Sequence, residues 1–305
     1  MGAQLFLRLS LRTSISKKLH LGPQNGPGSK NLLKIVNCQN GQKTVLSHLG
    51  KVGGHRYPPG SVRKLFDAKI ILSLIFSKWL ANLVPVKKKS GEIRLCVHFR
   101  NLNKVSLKYN YSLPKMDYIL QKVVGYQKIS MFDGFFGYNQ IMVHLDDQEK
   151  TAFTTPWGTF MYAKMPFGIM NARENLQRAM DISFAEENDK FIFIYFDDIN
   201  VFFDSDDQHL KHIRRVFQKS RKFGISLNPK NSNFGMQEGK LIGYIISKEG
   251  IKIDPSKVEE IMKIGTPRRN KEVQSFLGKV NILTRFIPNL DEIINYIKSI
   301  LRKGN

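Results

Sequence analysis

The chain has 305 residues, 48 Lys plus Arg and 25 Asp plus Glu, for a formal net charge of +23. Its hydrophobic content of 42% excludes a disordered polyelectrolyte. Its two cysteines, Cys38 and Cys96, lie far apart and exclude a disulfide scaffold or a cysteine-built zinc module. The surplus of positive charge points to a polyanionic partner, nucleic acid ahead of an anionic membrane surface.

That charge is unevenly spread. No Asp or Glu precedes Asp67, whereas residues 1–66 hold 11 Lys and Arg. Residues 1–60 contain turn pairs such as Gly26-Pro27, Gly53-Gly54 and Pro58-Pro59 and no periodic apolar pattern. They read as a flexible basic leader, and their acid-free, Arg- and Ser-rich start also resembles an organelle transit peptide. The apolar stretch from Ile70 to Val86 is broken by Lys78, Asn82 and Pro85. It is too short to span a bilayer and reads as a core helix followed by a strand.

An α+β pattern follows. Leu83–Val86 and Ile93–Phe99 predict two strands around a hairpin tip, Lys87 to Glu92. Ile129–Phe132 predicts a short strand ending at Asp133. Ala152–Thr155 and Thr159–Lys164 predict a hairpin around Pro156-Trp157-Gly158, and Asn171–Ala185 a helix. Phe191–Phe196 and Ile199–Phe203 are apolar runs separated by Asp197-Asp198. Ser205 is an expected N-cap, with Asp206 and Asp207 suited to the positive end of the next helix and Gly224 to its stop. Leu241–Ser247 and Ile251–Ile253 are expected to pair, Asp254-Pro255 to open a helix, and Asn270 to cap a last helix running toward Pro288.

The carboxylates carry the chemistry. Two adjacent acids interrupt an apolar run at Asp197-Asp198, where mutual repulsion and burial would cost several kcal/mol without a partner. A polar turn is one resolution. A bound cation is another, because Mg²⁺ prefers oxygen ligands and is held by one or two carboxylates plus substrate phosphates. The flanking aromatic and β-branched residues favour the metal. Asp133 ends a second apolar strand, and facing the pair it would complete a two-metal site for in-line phosphoryl transfer.

These segments, in this order, resemble the reverse transcriptases of gypsy-type LTR retrotransposons, retrovirus-related elements, over roughly residues 61–290. The series runs from Leu83-Val84-Pro85-Val86 through Arg94-Leu95-Cys96-Val97, Arg100-Asn101-Leu102-Asn103, Tyr111-Ser112-Leu113-Pro114 and Phe132-Asp133 to Gly137-Tyr138-Asn139-Gln140. It continues with Lys150-Thr151-Ala152-Phe153, Met165-Pro166-Phe167-Gly168, Tyr195-Phe196-Asp197-Asp198, Ile242-Gly243-Tyr244, Asp254-Pro255 and Ser275-Phe276-Leu277-Gly278.

The resemblance implies a right-hand polymerase of fingers, palm and thumb with an antiparallel palm sheet. It maps fingers to about 61–130 and 150–180, palm to about 131–149 and 181–246, and a thumb with a truncated end to 247–305. It implies an RNA-directed DNA polymerase using two Mg²⁺ ions, or Mn²⁺ in their place, on dNTPs and an RNA or DNA template–primer duplex. Asp133, Asp197 and Asp198 would bind metal and carry catalysis. Lys87, Lys88, Lys89, Arg94, Tyr138, Phe167 and Gly168 would contact the nucleotide, with Tyr138 excluding a ribose 2′-hydroxyl. Gln177, Tyr195, Ile242, Gly243 and Tyr244 would contact template or primer.

Departures from the lineage pattern fall at His98, at Phe136 near the nucleotide site, at Arg173-Glu174-Asn175-Leu176, and at Asn231 and Ser232 in place of Lys and Cys. They keep a second reading open, a catalytically inactive remnant that binds nucleic acid. With no protease, RNase H or integrase pattern in the sequence, the chain reads as a segment of a larger polyprotein.

Overall fold

The computed structural model describes residues 59–87, 93–135, 137–241, 243–265, 267, 269–290 and 292–295. The expected leader, apart from its last two residues, lies outside them. So do Lys88 and Lys89 at the hairpin tip, Phe136, Ile242 and the last ten positions.

Helix α1 (Pro59–Asp67) starts with a proline in the first turn, where the missing N–H costs nothing, and seats Val62 in the core. Strand β1 (Ile71–Leu74) follows. The expectation of a core helix followed by a strand is therefore corrected: the helix precedes Ile70, and Ile71–Leu74 is extended because it pairs with β6 (Gly158–Tyr162) from Ile71↔Tyr162 to Leu74↔Thr159. β5 (Phe153–Thr155) completes this three-stranded sheet in the order β1-β6-β5, around the expected hairpin. β2 (Asn82–Lys87) and β3 (Ile93–His98) form the other expected antiparallel pair. Two short helices, α2 (Arg100–Val105) and α3 (Met116–Val123), follow.

A four-stranded antiparallel sheet dominates the centre, in the order β7-β8-β4-β9. Its members are β4 (Lys128–Gly134), β7 (Ile192–Tyr195), β8 (Asp198–Phe203) and β9 (Leu227–Met236). Five consecutive residues of β8, Ile199 to Phe203, are buried, because the sheet is covered on both faces. On one face, Ile194, Ile199 and Val201 pack with Leu176 and Met180 of α5 (Ala172–Ser183) and Ile213 and Val216 of α6 (Asp206–Phe223). A short helix, α4 (Leu145–Gln148), lies between β4 and β5 in the chain. On the other face, Phe193 and Phe202 pack with Ile119, Leu120 and Val123 of α3 and with Leu241, Tyr244 and Ile246.

The α6 termini follow their expected chemistry in part. Gly224 closes the helix at φ +70, and its N–H reaches the Ser220 and Arg221 carbonyls. Ser205 occupies the N-cap position, but its side chain makes no capping bond; Asp206 instead accepts from Lys128 Nζ at 2.6 Å.

Two histidines of α6 lie flat against aromatic rings, His209 on Phe203 at 3.7 Å and His212 on Phe191 at 4.0 Å between centroids. Burial, the largest cause for both, lowers their pKa values below the usual 6.5. A histidine depressed in the folded state takes up its proton more readily unfolded, so stability falls as pH drops through about 6.5. These two rings therefore pull the melting temperature down between pH 7 and pH 5, against the opposite pull of Asp197 and Asp198, whose pKa values are raised in the fold. His212→Phe, which keeps the stacked ring without the titration, should shift the melting temperature upward at pH 5 relative to pH 7 when compared with the parent; an unchanged pH dependence would refute the assignment.

β10 (Glu238–Leu241), β11 (Tyr244–Ser247) and β12 (Gly250–Ile253) make a fourth antiparallel sheet. The single strand expected over Leu241–Ser247 is two, since Gly243 turns the chain at φ +86 and Leu241 pairs with Tyr244. Of the three residues expected at the primer, Gly243 thus lies in the turn between β10 and β11 and Tyr244 opens β11, while Ile242 lies outside the described residues. A Cβ on Gly243 would lie 2.6 Å from Ile282 Cδ1, so the turn also packs on the C-terminal unit. In α7 (Pro255–Met262), Asp254 is the N-cap as expected and accepts from Ser256 N at 3.0 Å. In α8 (Asn270–Val280), Arg269 holds the N-cap position, Asn270 is already helical, and the helix ends well short of Pro288. The described residues include no helix long and apolar enough to cross a membrane.

Candidate active site

The site forms where β4 ends and the β7–β8 turn begins. Asp133 and Asp198 are direct register partners across the β4–β8 pair. Asp197 precedes Asp198, and the Gly134 N–H donates to the Asp197 carbonyl at 2.8 Å, binding the end of β4 to the turn.

The two consecutive acids border different cavities. Asp198 joins Asp133 in a trough of about 590 Å³ lined by Phe132, Asn231, Asn233 and Lys240. Asp197 borders a smaller cavity of about 130 Å³ with Gly134, Gly137, Leu176 and Met180.

Charge is concentrated there. Asp198 is open at its tip, yet the walls of the trough strip enough water to raise its pKa to about 6, with Asp197 and then Asp133 adding repulsion. Asp197 is raised first by burial and then by Asp133, against a lowering backbone hydrogen bond. Among the described residues, no Lys, Arg or His forms an ion pair with any of the three. Two cross-strand carboxylates and a third beside them, with the Lys240 ammonium of the same trough paired to Asp254 instead, are a hard oxygen-donor set of the kind that suits a divalent cation. The described residues contain no group of three or more His, Cys, Asp or Glu gathered tightly enough to enclose an ion by itself.

The turn is strained. Phe196 sits at φ +56, unusual for a bulky side chain and worth about 1–3 kcal/mol. Gln177 of α5 holds it there. Its Oε1 accepts from Phe196 N at 2.8 Å, and its Nε2 donates to the Ile194 carbonyl at 3.2 Å and to Asp181 at 3.0 Å. Gln177 is fully buried (0% exposed), so this side chain is engaged with the turn and does not reach a surface open to template or primer. Gln177→Ala leaves two buried backbone groups unpaired, expected to cost about 2–3 kcal/mol. Chemical denaturation reads that loss, and a variant as stable as the parent would show the turn holds itself.

The other candidates are dispersed around this centre. Tyr138 is half-buried in a 3₁₀ turn (Gly137–Gln140) and meets Phe167 edge-on, with ring centroids 4.8 Å apart. Burial, the largest cause, raises its pKa. Gly168 adopts φ +93, and that backbone conformation is what demands glycine; the nearest atom to an added Cβ is 3.6 Å away. Asn103 fixes this loop, donating to the Gly168 carbonyl at 2.8 Å and accepting from Met170 N at 2.9 Å. Lys87 and Arg94 lie at the tip end of the β2–β3 pair, in register positions Lys87↔Ile93 and Val86↔Arg94. Tyr195 pairs with Asp198, placing its backbone beside the trough. Gly243 lies in the β10–β11 turn and Tyr244 in β11, where the Tyr244 hydroxyl donates to the Ile282 carbonyl at 3.2 Å.

Residues without a sequence-based role also shape the site. Gly134 and Gly137 make room for Asp197: an added Cβ on Gly137 would lie 2.8 Å from Asp197 Cβ. Gln140 ties the end of β4 to Ser226, donating to the Phe135 and Ser226 carbonyls and accepting from Ser226 N. Asn228 and Asn231 both donate to Asp133 Oδ2, at 3.1 and 2.7 Å. Asn231 stands out in the sequence only as a departure from the lineage pattern, and the half-buried Gln140 and Asn228 carry no local signature of these contacts.

A family model described as reverse transcriptase (RNA-dependent DNA polymerase) matches residues 86–246. Over 225 residues, 74% of this chain and 21% of the relative, the sequence is 32% identical to the retrovirus-related Pol polyprotein from transposon 297 of Drosophila melanogaster. Over 252 residues, 81% of this chain and 19% of the relative, it is 30% identical to the transposon Tf2-3 polyprotein of Schizosaccharomyces pombe. The chain thus spans about a fifth of the length of these relatives. Its fold is similar to the foamy viral protease-reverse transcriptase in complex with double-stranded DNA, with TM-score 0.71, 25% identity, and coverage of 80% of this chain and 51% of the other. It is also similar to the same viral protein in complex with an RNA/DNA hybrid, with TM-score 0.69, 19% identity, and coverage of 90% and 44%.

Proposed function

We propose, from the premise that this chain belongs to the reverse transcriptase (RNA-dependent DNA polymerase) family, that it extends a primer 3′-hydroxyl with dNTPs on an RNA or DNA template. The observation that carries the proposal is the Asp133↔Asp198 cross-strand pair with Asp197 beside it, crowded and without a cationic partner. The complexes of the foamy viral protein with double-stranded DNA and RNA/DNA hybrid support a template–primer duplex as the partner.

In this reading, β4, β7, β8 and β9 are the palm sheet, the β2–β3 and β1-β6-β5 sheets belong to the fingers, and α7 and α8 open the thumb. Mg²⁺, or Mn²⁺ in its place, held by Asp133, Asp197 and Asp198, would supply Lewis-acid activation of the primer hydroxyl and charge neutralisation at the triphosphate.

The remaining roles belong to the chain itself. Lys87 to Lys89 offer point charges for phosphate, and Arg94 a bidentate fork. Tyr138, braced by Phe167, presents a ring edge that would exclude a ribose 2′-hydroxyl. Gly168 would let its loop backbone line the nucleotide site, and Tyr195, Gly243 and Tyr244 would border the primer. Gln177 positions the turn rather than touching nucleic acid.

Purified protein with a primed RNA template, dNTPs and Mg²⁺ is expected to extend the primer. Duplex binding should weaken steeply with salt as phosphate counterions are released. Duplex binding without extension at any Mg²⁺ or Mn²⁺ concentration would overturn the proposal in favour of an inactive remnant.

A further inference from the structure

The edge strand β9 departs from regular pairing where it passes the site. Between the register pairs Asp133↔Asn228 and Met131↔Asn233, β4 advances by 133 − 131 = 2 residues while β9 advances by 233 − 228 = 5. The three additional residues leave the ladder. Pro229, which has no N–H to give, lies within this stretch, where an edge strand tolerates it. Bulges of this kind re-aim side chains and recur beside active sites.

Here the bulge aims an amide. Asn228, in register with Asp133, donates its Nδ2–H to Asp133 Oδ2 at 3.1 Å, and Asn231, carried by the bulge, donates to the same oxygen at 2.7 Å. Ser232 braces the bulge, its hydroxyl donating to the Asn228 carbonyl at 2.7 Å, and Lys230 N donates to Asn228 Oδ1 at 3.2 Å, fixing that amide's orientation. Asp133 Oδ1 takes no hydrogen bond among the described residues. Asp198 faces Asp133 across the strand pair, and two unrestrained carboxylates there would turn away from each other.

We infer that Asn228 and Asn231 form an amide clamp that holds Asp133 Oδ2 against β9 and thereby presents Oδ1 toward Asp198 for a shared divalent cation. The two asparagines are positioning residues, acting through Asp133. The inference rests on the proposed metal-binding role of Asp133. It assigns Asn231, a departure from the lineage pattern, a task in the site. An isosteric carboxylate in place of Asn231 would lose the donor and add repulsion, whereas alanine would lose only the donor.

The test measures Mn²⁺ binding directly, by electron paramagnetic resonance of the free ion. It uses the full chain bound to a template–primer whose primer ends in a dideoxynucleotide, so no chemistry is required. Asn231→Ala is expected to weaken Mn²⁺ binding about 10-fold, the usual scale for losing a group that orients a metal ligand. Asn231→Asp should weaken it at least as much, and Asn228→Ala in the same direction. Duplex affinity and melting temperature should stay at parental values in Asn231→Ala, because Asn231 is exposed. In primer extension, the half-saturating Mn²⁺ concentration should rise while the rate at saturating metal changes little.

Asp133→Ala separates the two levels. If it abolishes the strongest Mn²⁺ binding while both Asn231 variants bind as the parent does, or more tightly, the clamp is refuted and the metal role of Asp133 stands. If Asp133→Ala binds Mn²⁺ as the parent does, the metal role itself fails and the clamp with it. Should Asn228→Ala unfold, the Asn231 pair carries the test alone.

Discussion

Asp197→Asn is expected to abolish primer extension, by about 10³-fold or more, while leaving duplex binding intact. The substitution keeps the shape of the side chain and removes one negative charge. A metal-centred stabilisation of several kcal/mol in the transition state corresponds to that factor in rate. Duplex affinity responds oppositely. Phosphates approach a strongly basic chain, and deleting a carboxylate from the cleft removes a repulsion, so binding should hold or tighten slightly and keep its salt slope. The fold should gain, since Asp197 is already raised by burial and by Asp133. The variant is therefore expected to melt no lower than the parent at neutral pH. Extension at the parental rate would remove Asp197 from the chemistry. Parallel loss of duplex binding would recast its role as structural.

That prediction begins from two letters in the chain, and the reason they were legible is physical. Asp197-Asp198 interrupts a run that is apolar because β7 and β8 are covered on both faces, so the exception stands out against its surroundings. The α6 boundaries were legible for the same kind of reason, a left-handed glycine and acids in the first turn. What escaped was whatever depends on partners distant in sequence. β9 is rich in asparagine and contains Pro229; only its place at the sheet edge, paired with β4, makes it a strand. Ile71–Leu74 has too few residues to show a period and becomes a strand by pairing with Tyr162 through Thr159.

The site divides likewise. Asp133 announces itself at the end of an apolar strand. Gln177 lies on a helix, where glutamine usually faces water, and only the fold reveals it buried beneath the Phe196 turn. The amide clamp on Asp133 spans 95 and 98 residues of sequence, and no local pattern anticipates such a contact.

Gly137→Ala is expected to damage the site as severely as loss of a polar contact, although it adds one methyl group. Gly137 is buried at the start of the 3₁₀ turn that carries Tyr138. Its Cβ would lie 2.8 Å from Asp197 Cβ and 3.1 Å from Asp197 Oδ2. Neither partner can yield freely. The turn is anchored through Gln140 to Phe135 and Ser226, and Asp197 is anchored through its carbonyl to Gly134 N at 2.8 Å. Overpacking of this kind costs about 1–3 kcal/mol. A displacement near 1 Å at the reacting centre costs about 10²-fold in rate. Thermal melting and single-nucleotide extension should therefore both fall, the second far more than the first. Gly278→Ala is the control, since that glycine lies inside α8 with nothing within 4 Å of an added Cβ. It should leave extension unchanged and stabilise the helix by about 0.5–1 kcal/mol. If Gly137→Ala extends primers as fast as Gly278→Ala, the close approach between the 3₁₀ turn and Asp197 does not set the geometry of the site.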